Sequence, residues 1–257
     1  MATAIRYAAW SESGGFPCNE DALLVGGDVH QGVSIWATNT VTIDKPTVFA
    51  CADGLHIGRG AAWASRTLLE LLRDSYLTFP SWSPQARVQW LQSTLTEKGQ
   101  RYPGAASTLL WAELQETRLT LYHVGDSRAW LIRDGEVKLL TEDQTVATDL
   151  QNAGYAADNY PLLASSYGAL AEYFSVDAFV DAPQAVMQSM PFKQGDLLLL
   201  GTDGIAHLEL PEIMILAAEL TAQANASSGQ PSSPSLRRSP EGPDNRSVIL
   251  ISNYGGY

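Results

Sequence analysis

Two apolar runs in this chain close on the same dipeptide, and that repetition restricts the fold more than any other feature. Val48-Phe49-Ala50-Cys51-Ala52 leads into Asp53-Gly54, and Leu197–Leu200 reaches Asp203-Gly204 through Gly201-Thr202. Short apolar runs bounded by turn residues read as buried strands. A carboxylate at the end of a core strand is rigidly placed yet reachable from water, which is what a catalytic metal site needs. The third copy, Asp134-Gly135, is used differently. It separates Arg128–Arg133 from Glu136–Leu140, and the two-residue gap predicts a hairpin turn. A single strand-end aspartate can equally be a turn or cap residue; two in the same setting weigh against that.

The remaining segments supply the layers around these strands. Ala4–Trp10, Ala22–Gly26 and Val33–Thr38 read as further strands. Gly60 to Leu77 carries a helical stripe of Ala61, Ala64, Leu68, Leu69 and Leu72. A second helix opens with Ser83 as N-cap and Pro84 at its first position and ends near Gly99. Ser107–Leu114, Leu119–Val124 and Arg246–Ser252 read as strands, and Pro211–Ala222 as a helix. Between Thr145 and Lys193 no period stands out. Residues 223–243 are rich in Ser, Pro and Gly and read as a mobile loop within one domain spanning 1–257. Strands, then helices, then strands again is an α+β pattern, with antiparallel sheet covered by helices.

Composition narrows the function classes. A net charge of −12 with no local Lys/Arg cluster argues against nucleic-acid binding. No apolar run is long enough to span a membrane, and Met1–Trp10 does not look like a signal peptide, so a cytoplasmic protein is expected. Cys18 and Cys51 fit neither a disulfide scaffold nor a zinc spacing, and both read as small reduced core residues.

Two more acidic spots lie at strand starts: Asn19-Glu20-Asp21 before Ala22, and Asp244-Asn245 before Arg246. Hard divalent cations such as Mg²⁺ and Mn²⁺ prefer carboxylates, carbonyls and water. Taken in order, Asn19-Glu20-Asp21-Ala22, Phe49–Gly54, Gly125-Asp126-Ser127-Arg128, Leu140-Thr141-Glu142-Asp143, Thr202-Asp203-Gly204-Ile205 and Asp244-Asn245-Arg246-Ser247-Val248 resemble the motif series of the metal-dependent type 2C (PPM) protein phosphatases, bacterial members especially. The resemblance runs from Ile5 to Ile251. It implies a four-layer αββα sandwich of two antiparallel sheets flanked by helices, with metals at one edge. It implies that Asp53 bridges two Mg²⁺ or Mn²⁺ ions, that Gly54 lends a carbonyl, and that Asp203 and Asp244 bind the first ion. Glu20 and Asp21 then stand on the second ion's side, and Asp126 matches a residue for a weaker third. Asp53, Asp203 and Asp244 form the catalytic set.

Two departures from the family pattern bear on the phosphate. Phe16 stands where members carry an arginine that grips it, and a phenyl ring cannot replace a bidentate guanidinium. Arg59 is a candidate substitute phosphate contact, or a solvated helix-start residue; Arg6 is another possibility. Asp53-Gly54 continues as Leu55-His56-Ile57-Gly58 where a double glycine is usual. His56 could act as general acid or sit as an ordinary surface histidine. Gln144 replaces a histidine after Asp143, and both read as loop-forming residues.

The resulting expectation is a Mg²⁺/Mn²⁺-dependent phosphatase of phosphoserine and phosphothreonine, using water activated by the metal pair. Its partners would be phosphorylated proteins, with a Ser/Thr kinase or that kinase's targets among them, and the chain would act as a monomer. The rivals are a weakly active or non-catalytic metal-binding interaction module and a hydrolase of small phosphorylated metabolites.

Overall fold

Side chains alternate between the two faces of a strand, and here the central strands are apolar on both. Strands β1–β15 and helices α1–α4 are numbered along the chain. On β15 (Arg246–Asn253), Ile249 and Ile251 enter one core while Val248 and Leu250 enter another. On β1 (Thr3–Glu12), Ile5, Tyr7 and Ala9 oppose Ala8 and Trp10 in the same way. On β5 (Thr47–Ala52), Phe49 and Cys51 share the first core, and Ala50 and Ala52 belong to a third. Strands buried on both faces require a layer on each side. The computed structural model describes residues 3–43, 45–55, 60–155, 169–225, 233–236 and 244–254, and these form that four-layer arrangement.

One sheet runs β11 (Glu136–Leu139), β10 (Arg128–Arg133), β14 (Leu197–Gly201), β15, β1, β4 (Ser34–Ile43). The other runs β13 (Val186–Pro191), β9 (Arg118–Val124), β8 (Leu109–Gln115), β5, β2 (Ala22–Val25), β3 (Asp28–His30). Neighbouring strands pair antiparallel throughout both. Helices α1 (Ala61–Thr78) and α2 (Pro84–Lys98) pack on the second sheet through Leu68, Leu72, Val88 and Leu91. Helix α4 (Leu210–Asn225) covers the first with Ile213, Leu216, Ala217 and Leu220, at the spacing of one helix face. The αββα expectation holds.

Local chemistry explains the boundaries. Ser83 Oγ accepts from the Ala86 amide 3.2 Å away and Pro84 follows it, so α2 starts where its cap is satisfied. Asp134 and Gly135 have φ of 53° and 81°, the pair of positive angles a type I′ hairpin turn requires between β10 and β11.

Three short strands, β6 (Gly54–Leu55), β7 (Ala106–Ser107) and β12 (Phe174–Ser175), form a small sheet just beyond the end of β5. The segment from Thr145 to Lys193 contains α3 (Val146–Asn152), with no buried residue, and the edge strand β13, mostly exposed. Neither has an apolar stripe, so periodicity gave no signal there. Residues 223–225 end α4 rather than opening a loop; of the rest of 223–243 only 233–236 are described.

Register gathers the strand ends. Glu12 pairs with Arg246, Arg128 with Gly201 and Gly201 with Val248 in the first sheet. Ala22 pairs with Ala52, Cys51 with Leu110 and Leu109 with Val124 in the second. The starts of β2, β10 and β15 and the ends of β5, β9 and β14 therefore share one rim.

Phe49 is fully buried between the sheets, edge-on to Tyr7 at 5.5 Å. Phe49→Ala is expected to lower unfolding free energy by about 3–5 kcal/mol, read from guanidinium denaturation.

Candidate metal centre

Asp53 follows the last residue of β5 and is fixed from three directions. Its amide donates to Thr108 Oγ1 at 3.0 Å, while its carbonyl accepts from the Thr108 amide at 2.9 Å and from Ser107 Oγ at 3.0 Å. Thr108 in turn meets Ser127 Oγ at 3.1 Å, tying the end of β5 to the turn that carries Asp126. Asp203 opens a single 3-10 turn, Asp203–Ile205, directly after β14. Carboxylate oxygens of Asp53, Asp126 and Asp203 all lie within 4.8 Å of one another.

Such crowding raises the cost of ionisation. Burial pushes Asp53 well above the usual carboxylate range, and the charges of Asp203, Asp21 and Asp126 push it further. Asp126 rises to about 7 through burial, then through Asp203 and Asp143. Its Oδ1 is buried without a hydrogen-bond partner. An orphaned carboxylate oxygen beside two more carboxylates is a hard-oxygen donor set, and it fits a divalent cation.

A second layer lies behind the cluster and joins the two sheets. Asp21 is buried, and its Oδ2 accepts from Thr202 Oγ1 at 2.8 Å. Thr202 Oγ1 also receives the Ser247 amide at 3.2 Å, and Ser247 Oγ meets Ser11 Oγ at 2.7 Å. Burial, opposed by the Ser247 and Thr202 hydrogen bonds, brings Asp21 to about 8, with Asp203 and Asp244 adding to the rise. Asn19 Oδ1 accepts the Asp21 amide, and Asn19 Nδ2 donates to Ser11 Oγ at 2.6 Å. The sequence offered one signal for this layer: hydroxyl residues such as Thr202 and Ser247 inside or beside apolar strands.

Glu20 contributes through its backbone. Its amide donates to Asn245 Oδ1 at 2.6 Å, and its carbonyl accepts from the Gly54 amide at 3.1 Å and from Ser65 Oγ. Gly54 is obligatory for space, since a Cβ there would lie 2.3 Å from the Ala61 carbonyl oxygen. Gly204 is equally constrained, 1.9 Å from the Asn245 carbonyl oxygen. Asp244 is exposed at the same rim, immediately before β15, and its charge reaches Asp21. The structure thus groups Asp53, Asp126 and Asp203 most tightly, with Asp21 behind them and Asp244 beside.

Among the described residues, Arg128 and Arg6 are committed elsewhere. Arg128 forms a fork on Asp143, at 2.9 and 2.7 Å, and donates to the Ala206 carbonyl at 2.7 Å. Arg6 lies in mid-strand on β1, beside Asn225 and over the Tyr254 ring, and is not at this rim. Phe16 is 46% exposed. His56 and Arg59 lie outside the described residues. Gln144 serves loop structure: its Oε1 accepts the Gly125 amide at 2.7 Å and its amide donates to the Gly125 carbonyl at 2.9 Å. Cys51 is a core residue as expected, but Cys18 is exposed, because it sits in the turn ahead of Asn19 rather than on a strand.

The model of the family described as Protein phosphatase 2C matches residues 37–238. Serine/threonine phosphatase stp of Listeria innocua is 25% identical over 197 residues, covering 71% of this chain and 77% of that protein. A putative protein phosphatase 2C-type of Streptococcus pyogenes is 26% identical over 172 residues, covering 63% and 68%. Among solved structures, the Mycobacterium tuberculosis serine/threonine phosphatase PstP/Ppp superposes with a TM-score of 0.68 at 21% identity, over 97% of this chain and 99% of that one. The PstP catalytic domain in complex with two manganese ions gives 0.62 at 23%, over 97% and 98%.

The raised carboxylates set the pH dependence of the metal-free fold. Unfolded aspartates release their protons near pH ~4, whereas Asp126 and Asp21 hold theirs to about 7 and about 8. Between those limits the folded state binds more protons, so stability falls as pH rises. In chelator, the melting temperature is expected to drop from pH ~5 to ~8. Asp126→Asn should flatten that slope, and Mn²⁺ at pH ~8 should restore the loss, as scanning calorimetry would show.

Proposed function

The chain belongs to the protein phosphatase 2C family, and we propose that it hydrolyses phosphoserine and phosphothreonine in proteins with two Mg²⁺ or Mn²⁺ ions held at the aspartate rim. The observation that carries this reading is the convergence of Asp53, Asp126 and Asp203, with one buried Asp126 oxygen lacking any partner. The serine/threonine phosphatase relatives support the substrate class. The manganese-bound fold relative supports the choice of a transition-metal or magnesium-type ion.

Asp53, the Gly54 carbonyl, Asp203 and Asp244 would hold the ions. Asp126, which stands with Asp53 and Asp203, would hold a further ion. Glu20 and Asp21 serve the second ion's side, Asp21 from behind the cluster, since Thr202 already occupies its Oδ2. The bound cations would acidify water and neutralise charge on the phosphoryl oxygens, which the slowness of phosphate monoester hydrolysis demands. The chain's own part is placement. The Thr108–Ser127 and Thr202–Ser247 contacts hold the carboxylates on strand ends, so they need not reorganise during reaction.

Among the described residues no helix is long and apolar enough to cross a membrane. We infer further that the chain acts as a cytoplasmic monomer on the products of Ser/Thr kinases. One observation favours a weaker catalyst: Phe16 presents a half-open phenyl ring where a guanidinium would grip phosphate.

Purified protein is expected to turn over p-nitrophenyl phosphate and a phosphothreonine peptide with Mn²⁺ and not with chelator. Absence of cation-dependent turnover on both would overturn the proposal. Asp53→Ala or Asp203→Ala should lower kcat/KM by about a thousandfold or more. Phe16→Arg should lower KM roughly tenfold, the effect of one added charge-assisted contact, with steady-state kinetics as the check.

A further inference from the structure

A cavity of about 540 Å³ lies beside the metal rim, between β9, β13 and the segment Leu140–Gln144. Its walls carry His123, Glu142, Asp143, Asp149, Glu172 and Gln188. Asp143 is neutralised by the Arg128 fork at 2.7 Å. Among the described residues, no cation pairs with Glu142, Asp149 or Glu172; Glu172 Oε2 accepts only the Gln184 amide, at 2.8 Å. The cavity therefore concentrates three uncompensated carboxylates.

An acidic cluster alone says nothing of a ligand, but His123 adds an independent observation. It is 2% exposed, it lines the cavity on the same face of β9 as Leu121, and its Nε2 has no hydrogen-bond partner. The other side of the ring is hydrogen-bonded to the Ser127 backbone, and burial keeps the imidazole neutral, down to about 4. A neutral ring that donates from Nδ1 to a carbonyl presents a bare lone pair at Nε2. A buried acceptor without a donor costs free energy, and a ligand bearing N–H groups would remove that cost. The complement to a lone pair and three carboxylates is a guanidinium or an ammonium. An anion is excluded by charge, and among the described residues only the aspartate rim brings three ligating groups together as a metal ion requires.

Position selects the source of that cation. Gln144 lines the cavity and clamps Gly125 by two hydrogen bonds, and the next residue is Asp126. A group in the cavity thus sits one turn away from the aspartate rim. We propose that the cavity takes an arginine or lysine side chain of the phosphoprotein substrate, while its phosphate lies at the rim. This rests on the phosphatase reading for the identity of the ligand, though not for the cation site itself. A basic flank on the substrate also suits a protein of net charge −12.

The test uses phosphothreonine peptides in which arginine is scanned through the flanking positions against alanine. At least one arginine position should raise kcat/KM about tenfold, and Asp149→Asn/Glu172→Gln should bring that ratio close to one. No arginine preference at any position, or a preference that survives in the folded double variant, overturns the proposal. A second measurement does not depend on turnover: the unphosphorylated arginine peptide should shift the His123 ring signals in NMR, and its Kd should weaken about tenfold in the double variant. Unmoved His123 signals at saturating peptide also overturn it. If His123 responds while no phosphopeptide is hydrolysed, the cation site stands and the phosphatase reading is what fails.

Discussion

Mutual repulsion among carboxylates is the constraint on which the rest of this structure depends. Asp53, Asp126 and Asp203 present oxygens within 4.8 Å of one another at a partly buried rim. At an effective dielectric of about 20, two full charges at that separation repel by roughly 3 kcal/mol, a large part of a domain's net stability. The metal-free fold relieves this by keeping protons that an unfolded chain would lose. A divalent cation relieves it differently, by supplying the missing charge. The fold is thus strained where it is most acidic, which is the expected condition of a site that waits for a metal.

Strain of that kind persists only if the scaffold cannot relax. Each carboxylate sits at the end of a strand whose neighbours are fixed by register. The two sheets are then locked to each other at the same rim, by Thr202 on Asp21 and by Asn19, just ahead of β2, on Ser11 of β1. Close backbone approach closes the remaining gaps: positions 54 and 204 have no space for a Cβ atom. Gly14, at φ +60°, lets the Asp244 carbonyl pass where a side chain would collide. The apolar core between the sheets has a functional consequence here, because it prevents the aspartates from moving apart.

The parts legible in the sequence are those where one physical signal dominates. Phe49 and Cys51 alternate with Ala50 and Ala52 in a run apolar on both faces, so β5 was plain, as were its terminal Asp53 and the capped start of α2 at Ser83. The segment from Thr145 to Lys193 was not legible, since α3 buries nothing and β13 is an exposed edge. The hydroxyl layer behind the aspartates is not legible in the sequence for another reason. Thr202 and Ser247 are separated by 45 positions, and only the pairing of β14 with β15 makes them neighbours. Cys18 differs from the core residue its neighbourhood suggests, because proximity to an apolar strand does not fix burial in a turn.

The missing guanidinium at position 16 and the acid-lined cavity become related once binding energy is considered. Arg128, whose neighbours include Asp126 and Asp203, is fully engaged with Asp143 and the Ala206 carbonyl. It cannot let go without leaving Asp143 uncompensated. A phosphate at this rim would therefore draw its attraction from bound cations, with no help from that arginine. Attraction of this kind increases as charge builds on the transferring group, so it favours the transition state over the bound substrate. Such a site holds its ground-state substrate weakly, and it gains selectivity only from contacts remote from the reacting bond. His123 and the carboxylates of Glu142, Asp149 and Glu172 stand where such a contact would be useful, one turn from Asp126. Anchoring by a basic flank would orient the phosphoresidue without a grip on the phosphate itself, at the cost of narrowing the range of substrates to those that carry one.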